Sequence, residues 1–344
     1  MSTRISHSLL VLLVGALSLV GRPAVSHAEV VLVADRLTDS VYAYDTAGGY
    51  RGVVVSDPFG ADPGVGTPID FLNQPSGIAM SPDRSTLYVS SLANNRVMAY
   101  DFDGATGTAS NPTIFADSAD GLAAPNAILF SQDQSKIYVS NLGGSGVAQF
   151  NTDGTSAGPP IHGAIAGGSI FQFSGLAFAP NGELLVGGFQ DFPAGLAGAV
   201  ARSNAGIDFL TDFIGPGPSL NGAAGLLVNG NDLYVSSGFA GNIQRYNATT
   251  GALDPTFNVS SLPFPQQVMI APDGNGLYVG ILGDVDGSGT ISHYDFDGNF
   301  LGTFAGVGTV GFVEATAFIT VVPEPASLGL MGLALAPLGF LRRR

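Results

Sequence analysis

Short apolar runs alternate with polar turns along the middle of the chain, and they recur in the same order. Each repeat has an apolar run, a turn centred on Asp or Asn, a run such as Leu-Tyr-Val-Ser, and a run ending in an aromatic residue and Asp or Asn. The turn residues lie 50, 48, 50 and 42 positions apart, at Asp83, Asp133, Asn181, Asn231 and Asp273. Short apolar runs bounded by turn residues predict β-strands.

The length of the repeat indicates the fold. A period of 42 to 50 residues with three or four strands is typical of a β-propeller blade. Five repeats are complete, while residues 30–48 supply a second and third strand without a first, and an unpaired strand pattern occurs at 315–320. We therefore predict an all-β, six-bladed β-propeller over residues 29–321, with the ring closed by a C-terminal strand joining the N-terminal blade. Such closure removes exposed sheet edges.

The N-terminus has the parts of a secretory signal peptide. Arg4 precedes an apolar run of 12 residues at 9–20, which is shorter than the roughly 20 residues that span a bilayer as a helix. Ser26 and Ala28 supply the small residues of a cleavage site. We expect residues 1–28 to be removed on export.

The C-terminus carries a second signal. Residues 322–325 read Val-Pro-Glu-Pro, an apolar run of 16 residues follows at 326–341, and three arginines end the chain: Arg342, Arg343 and Arg344. As a helix, the apolar run is about 24 Å long, which is short for a permanent span. The terminal arginines would stay on the cytoplasmic side. The pattern predicts a membrane-associated sorting segment over residues 322–344.

This tail resembles a PEP-CTERM sorting signal. The resemblance implies that Pro323, Glu324 and Pro325 mark the site at which an exosortase of the inner membrane processes the protein. It also implies a secreted or cell-surface protein of a Gram-negative bacterium, associated with exopolysaccharide or biofilm, and only transiently held in the membrane. A simple C-terminal anchor is the alternative.

Composition excludes several classes of function. The chain has 49 Gly and 21 Pro in 344 residues, which disfavours a helical bundle. Residues 29–321 contain seven basic and 26 acidic side chains, so no basic face is available for nucleic acid. The absence of Cys excludes disulfides, thiolate metal sites and cysteine nucleophiles.

Several motifs within the blades add a resemblance. They are Pro-Ser-Gly-Ile-Ala at 75–79, Pro-Asn-Ala-Ile-Leu at 125–129, the recurring Leu-Tyr-Val-Ser, and Val-x-x-Tyr-Asp-x-x-Gly at 97–104. These blades resemble NHL propellers and the senescence-marker/gluconolactonase propellers. The resemblance specifies fold better than function, because propellers host lyases, lactonases and pure binders.

Propeller ligands bind around the central channel, where the first strand of each blade begins. The candidate residues at this mouth are Ser76, Asn126, Ser174, Ala224, Gln266 and Glu314. The resemblance to lactonases implies a divalent metal held there by a Glu, two polar residues and an Asp. Glu314 and Asn126 match by position, but no residue matches the Asp. The alternative is that these polar groups bond channel water or backbone.

No catalytic residue is predicted elsewhere. His162 and His293 lie on different repeats, whereas zinc needs ligands close together. The chain has no Gly-x-Ser-x-Gly elbow. Trp is absent and most of the 22 Phe and 10 Tyr fall in predicted strands, so we expect no carbohydrate-stacking platform.

One loop follows the spacing of a calcium-binding loop. Oxygen-bearing residues stand at alternate positions and at position 12: Asp284, Asp286, Ser288, Thr290 and Asp295. The alternative is an enlarged Gly-rich loop between two strands, with Asp295 serving as the ordinary strand-end Asp of the repeat. Ca²⁺ is the cofactor that this pattern predicts.

Two hypotheses for function follow. The first is a non-enzymatic extracellular propeller that binds a partner such as an exopolysaccharide or another surface protein. The second is a metal-dependent lactonase or hydrolase with its site in the central channel. The missing carboxylate at the mouth favours the first.

Overall fold

The computed structural model describes residues 29–36, 38–56, 72–104, 106–144, 146–165, 168–169, 172–189, 198–215, 220–282, 289–305 and 315–323. Ala28–Pro325 form one compact unit. Within the described residues, all regular secondary structure is β-strand apart from a single 3-10 turn at Ser118–Asp120. The fold is therefore all-β, as the sequence predicts.

Four sheets have four antiparallel strands each. Sheet A has the order β25 (Ala315–Pro323), β1 (Glu29–Asp35), β2 (Ser40–Asp45), β3 (Tyr50–Ser56). Sheet B contains β4 (Pro75–Met80), β5 (Thr86–Ser91), β6 (Arg96–Asp103) and β7 (Thr108–Ala116). Sheet D contains β17 (Ala223–Asn229), β18 (Asp232–Ser237), β19 (Asn242–Asn247) and β20 (Leu253–Ser260). Sheet E contains β21 (Pro265–Ile270), β22 (Leu277–Ile281), β23 (Thr290–Tyr294) and β24 (Phe300–Ala305).

The fifth sheet, sheet C, has nine strands, which differs from the expectation of six separate blades. Its first half contains β8 (Pro125–Phe130), β9 (Lys136–Asn141), β10 (Val147–Asn151) and β11 (Ser156–Ile165). Its second half contains β13 (Gln172–Phe178), β14 (Leu184–Phe189), β15 (Gly198–Ser203) and β16 (Phe209–Ile214), and the short β12 (Gly168–Ser169) pairs with β11.

The two halves join because the long outer strand β11 pairs in parallel with β16, His162 opposite Phe209 and Gly163 opposite Leu210. A Cβ at Gly163 would lie 2.3 Å from the carbonyl oxygen of Leu210, so this approach requires glycine. The sequence repeat did not indicate this contact, because it joins strands that are not neighbours along the chain.

The ends of the compact unit meet in sheet A. Strand β25 pairs antiparallel with β1, with Val31 opposite Val321, Leu32 opposite Thr320 and Val33 opposite Ile319. This is the pairing that the sequence predicts for the unpaired C-terminal strand. It places the first strand of sheet A in the same position as the first strands of the other sheets.

The first strands of all these groups form a ring. Strand β4 contacts β25 and β8, β13 contacts β8 and β17, and β21 contacts β17 and β25. The described residues also contain six buried hydrophobic clusters, and each fills the space between two neighbouring four-stranded groups. Strand β1 illustrates the alternation: Leu32 packs toward sheet B, whereas Val31 and Val33 pack toward sheet E. The result is a propeller-like ring with strands radiating from a central axis.

Candidate functional site at the channel mouth

The channel mouth is the end of the ring at which the inner strands β4, β8, β13, β17 and β21 begin. Five candidates stand in or beside the first residues of these strands: Ser76, Asn126, Ser174, Ala224 and Gln266. After three of them, at Gly77, Gly175 and Gly225, the backbone of the neighbouring inner strand approaches closely. Glu314, the sixth predicted residue, lies outside the described residues. Five of the six candidates therefore lie within the described residues, at the start of their inner strands.

Three of these side chains form one hydrogen-bonded row. The Ser76 hydroxyl donates to Asn126 Oδ1, and Asn126 Nδ2 donates to Ser174 Oγ at 2.9 Å. Ser174 Oγ donates in turn to the carbonyl oxygen of Ala224 at 2.9 Å. At the other end, Arg36 Nη2, just past β1, donates to Ser76 Oγ at 3.4 Å. We call Arg36, Ser76, Asn126 and Ser174 the mouth row.

Burial divides the mouth row into two parts. Ser76 and Ser174 are each 2% exposed and Asn126 is 9% exposed, whereas Arg36 is half-buried. Buried polar groups need hydrogen-bond partners, and the amide of Asn126 has one at each end. The row therefore joins the half-buried Arg36 to three buried polar side chains at the mouth.

Three further serines, which the sequence analysis did not select, link the backbones of neighbouring inner strands near the mouth. Ser90, Ser140 and Ser236 accept a hydrogen bond from the inner strand of their own group, at the amides of Gly77, Ala127 and Gly225. Each hydroxyl donates to the inner strand of the next group, at the carbonyls of Asn126, Ser174 and Gln266. The signal was present in the sequence, because each of these serines ends a Leu-Tyr-Val-Ser or Ile-Tyr-Val-Ser run.

A divalent metal does not fit the described residues at the mouth. No group of three His, Asp or Glu side chains suited to a metal exists among the described residues. The Asn126 side-chain oxygen Oδ1 already accepts the Ser76 hydroxyl, and Ala224 has no ligand atom in its side chain. Hard cations prefer several oxygens, usually with more than one carboxylate.

The predicted calcium loop is only partly described. Asp284, Asp286 and Ser288 lie outside the described residues, Thr290 begins β23, and Asp295 follows its last residue. Thr290 and Asp295 are five steps apart along an extended chain, or roughly 16 Å at about 3.3 Å per step. The Asp295 carboxylate instead accepts the amides of Asp297 and Asn299 at 3.0 and 2.8 Å. The structure does not bring Asp295 together with Thr290, and calcium binding by the rest of the loop stays a prediction.

Asp295 has a local role in its turn. Hydrogen bonds from the Asn299 side chain and backbone hold the pKa of this carboxyl below its ordinary value. The histidines are equally separate: exposed His162 lies on β11, and His293 lies on β23 with its ring edge-on to Tyr278, 4.9 Å between centroids.

The sorting residues lie at the edge of the described chain. Pro323 is the last residue of β25 and stands opposite Glu29. Glu324, Pro325, Arg342, Arg343 and Arg344 lie outside the described residues, as does the proposed signal peptide. Among the residues described, no helix has the length and apolar character that crossing a bilayer requires.

Two exposed phenylalanines lie outside the strands in which most aromatic residues were predicted. Phe239 and Phe264 are 46% and 43% exposed and lie at the mouth end of sheets D and E. The repeat pattern did not indicate this, because both residues lie just outside the strands, in connections whose direction depends on the tertiary fold.

Part of the chain matches a known protein family in sequence. Residues 41–159 match the SMP-30/gluconolactonase/LRE-like region. That segment contains β3 to β10 and includes Ser76 and Asn126 of the mouth row. No curated protein matches the chain in sequence.

Solved structures resemble the whole ring. A chain of a nidogen/laminin complex is similar with a TM-score of 0.61 at 12% identity, covering 86% of this chain and 99% of that one. The periplasmic gluconolactonase of Pseudomonas aeruginosa gives 0.53 at 16%, covering 86% and 99%. A gluconolactonase of Xanthomonas campestris gives 0.53 at 19%, covering 73% and 83%. At such identities the likeness is one of fold, an all-β propeller-like ring.

Proposed function

We propose that this protein is a gluconolactonase-like propeller that hydrolyses a small sugar lactone at its channel mouth. The carrying observation is that the segment matching the gluconolactonase region contributes Ser76 and Asn126 to the mouth row. In this proposal the nine-stranded sheet counts as two blades joined at their outer edges, so that the ring has six blades.

The chemistry assigns Arg36 the central role. In lactone hydrolysis, water adds to the carbonyl carbon, the ring C–O bond breaks, and the leaving oxygen takes a proton, which yields a hydroxy acid. Negative charge develops on the carbonyl oxygen and remains on the carboxylate product. A guanidinium in a partly buried site stabilises that charge more strongly than it would in water. Ser76, Asn126 and Ser174 are positioning residues behind Arg36.

The test uses gluconolactone as substrate and the purified protein as secreted. We expect turnover above the spontaneous rate, and Arg36→Ala should lower kcat/KM by about 100-fold, the usual effect of removing one donor to an oxyanion. Arg36→Lys should recover part of this, because it restores the charge but not the planar fork. The matched control is Arg51→Ala. Arg51 is an exposed arginine on the outer strand β3, and it forms an ion pair with Asp45.

A second function is favoured by one specific observation. Position 224 is alanine and the Asn126 amide is bonded at both ends, so the row holds Arg36 without offering a described general base. A non-enzymatic propeller would then bind a carboxylate or hydroxylated ligand without turnover. Binding of gluconate, lost in Arg36→Ala, with no hydrolysis of gluconolactone would support this function and contradict the lactonase.

We also propose export and sorting at the cell surface, with an exosortase as processing partner. The support is the order of signals at the two ends of the chain. Strand β1 begins at Glu29, directly after the predicted signal cleavage, and β25 ends at Pro323, inside the Val-Pro-Glu-Pro motif. Both cuts would therefore fall at the boundary of the folded ring and would leave its closing pair of strands intact.

A further inference from the structure

Three phenylalanines form a continuous aromatic patch on the mouth face, separate from the mouth row. Phe189 ends β14, Phe239 follows β18, and Phe264 directly precedes β21. The ring centroids of Phe189 and Phe239 are 5.6 Å apart, and those of Phe239 and Phe264 are 5.5 Å apart, both in edge-to-face geometry. We call these three residues the phenylalanine patch; it crosses the second half of sheet C and sheets D and E.

The fold itself does not require these rings. The Phe239 amide donates to the carbonyl of Asn221, and the same bond is made by Ala93 in sheet B and Gly143 in sheet C. Phe264 has a φ of 45°, and the equivalent residues Gln74 and Ala124 have φ of 53° and 48°. The repeat thus needs a left-handed backbone before the inner strand but accepts a small or polar side chain there. Two large exposed aromatics at these positions call for another explanation.

Three loops beside the patch, within the part of the chain that the structure describes, carry no charge. Residues 220–282 carry four charged side chains, Asp232, Arg245, Asp254 and Asp273. Each lies within a strand or at the end of the sheets away from the mouth, and none lies in the described mouth loops 220–222, 238–241 and 261–264. A neutral amide lies beside one of these loops: a Cβ at Gly238, the residue before Phe239, would lie 3.5 Å from Gln266 Nε2.

We propose that the phenylalanine patch binds a neutral saccharide chain. The C–H face of a sugar ring is apolar and stacks on an exposed aromatic ring, while its hydroxyls suit neutral amide donors and acceptors such as Gln266. The absence of charge in the described mouth loops disfavours an anionic polymer, which would be drawn to cations. A patch spanning three neighbouring strand groups presents successive rings to an extended chain.

The experiment is affinity gel electrophoresis of the secreted protein in gels containing dextran, laminarin or hydroxyethyl cellulose. We expect at least one of these neutral polysaccharides to retard the protein. The double variant Phe239→Ala/Phe264→Ala should weaken the retardation at least tenfold. Phe239→Tyr/Phe264→Tyr should retain it, because tyrosine keeps the ring. Phe300→Ala, which removes a 59% exposed ring on the outer strand β24, is the matched control and should behave as the parent.

Several results would overturn the proposal: no retardation in any of the three gels, equal retardation of the alanine variant, or an equal loss in Phe300→Ala. Self-association of the parent in sedimentation, abolished in the alanine variant, would assign the patch to a protein partner and overturn it too. The proposal is independent of the lactonase, since the alanine variant should hydrolyse gluconolactone at the parental rate and Arg36→Ala should still bind the polysaccharide.

Discussion

Single residues allow neighbouring strand groups to approach closely at the centre of the ring. A Cβ at Gly77 would lie 2.0 Å from the carbonyl oxygen of Asn126, and one at Gly225 would lie 2.2 Å from that of Gln266. The missing side chains let Ser90 and Ser236 reach across and bond the next inner strand. These two glycines thus allow the inner strands to be bonded to each other directly beside the mouth.

The turns at the other end of the blades depend on carboxylates. Asp133 Oδ1 accepts the Ser131 hydroxyl at 2.6 Å and the Ser135 amide at 3.1 Å, and these bonds lower its pKa to about 2. Asp83 makes the same bonds with Ser81 and Ser85, and its pKa is also lowered.

These turns should make the protein sensitive to acid. The pKa of each Asp is lower in the folded state than its ordinary 3.8, so the stabilisation is present above about pH 3.8 and is lost as the pH falls through the folded-state pKa, which is about 2 for Asp133. In Asp83→Asn/Asp133→Asn we expect a smaller loss of unfolding free energy between pH 4 and pH 2, measured by urea titration. Asparagine is the matched choice because Asn181 already occupies the equivalent turn and accepts the Glu183 amide at 3.2 Å. Equal losses in parent and variant would contradict this role.

At the scale of elements, β25 completes sheet A. Strand β1 has fully buried side chains at Val31, Leu32 and Val33. Its backbone pairs with β2 on one side and with β25 on the other, so β25 is its partner at the inner edge. Without β25, these backbone groups would form an open edge beside exposed apolar side chains.

Deleting residues 315–322 should therefore lower the melting temperature by roughly 10 °C or more and promote aggregation, since a shift of about 2–4 °C per kcal/mol applies to domains of this size. The matched control ends the chain after Pro325 and keeps β25. Differential scanning fluorimetry and light scattering measure both effects. A deletion variant as stable and soluble as the control would show that β25 does not close the ring.

At the scale of the whole molecule, the two ends of the compact unit meet in one sheet. Glu29 stands opposite Pro323, so the residue after the predicted signal cleavage lies beside the start of the sorting motif. Processing at these two places would leave the complete ring and remove both apolar terminal runs.

The mass of the extracellular protein tests this arrangement. We expect the secreted form to begin at Glu29 and to lack the residues that follow the Pro-Glu-Pro motif, including Arg342 to Arg344. Intact mass spectrometry of the culture medium, compared with a variant in which Glu324→Ala alters the motif, measures the cut. An extracellular form that retains the three arginines would contradict processing at this motif.

Local pattern was sufficient for much of the fold. Alternating apolar residues bounded by Pro, Gly, Asn and Asp specify short strands, and a period near 50 residues specifies repeated antiparallel groups around a ring. The orphan strand at 315–320 had only one unfilled place, beside β1, and the structure pairs it there. The repeat register also selected Ser76, Asn126 and Ser174 as equivalent residues, and the structure joins these three by hydrogen bonds.

Contacts between residues that are distant in sequence were decided only by the tertiary structure. The joining of β11 to β16 depends on two outer strands approaching at Gly163, and no local pattern encodes that distance. Asp295 matched a calcium-loop position by spacing, yet a strand holds it far from Thr290. The link from Arg36 to the mouth row and the stacking of Phe239 on Phe189 and Phe264 arise because the ring brings residues from separate repeats to one face. Sequence periodicity fixes which residues are equivalent, whereas closure of the ring decides which of them touch.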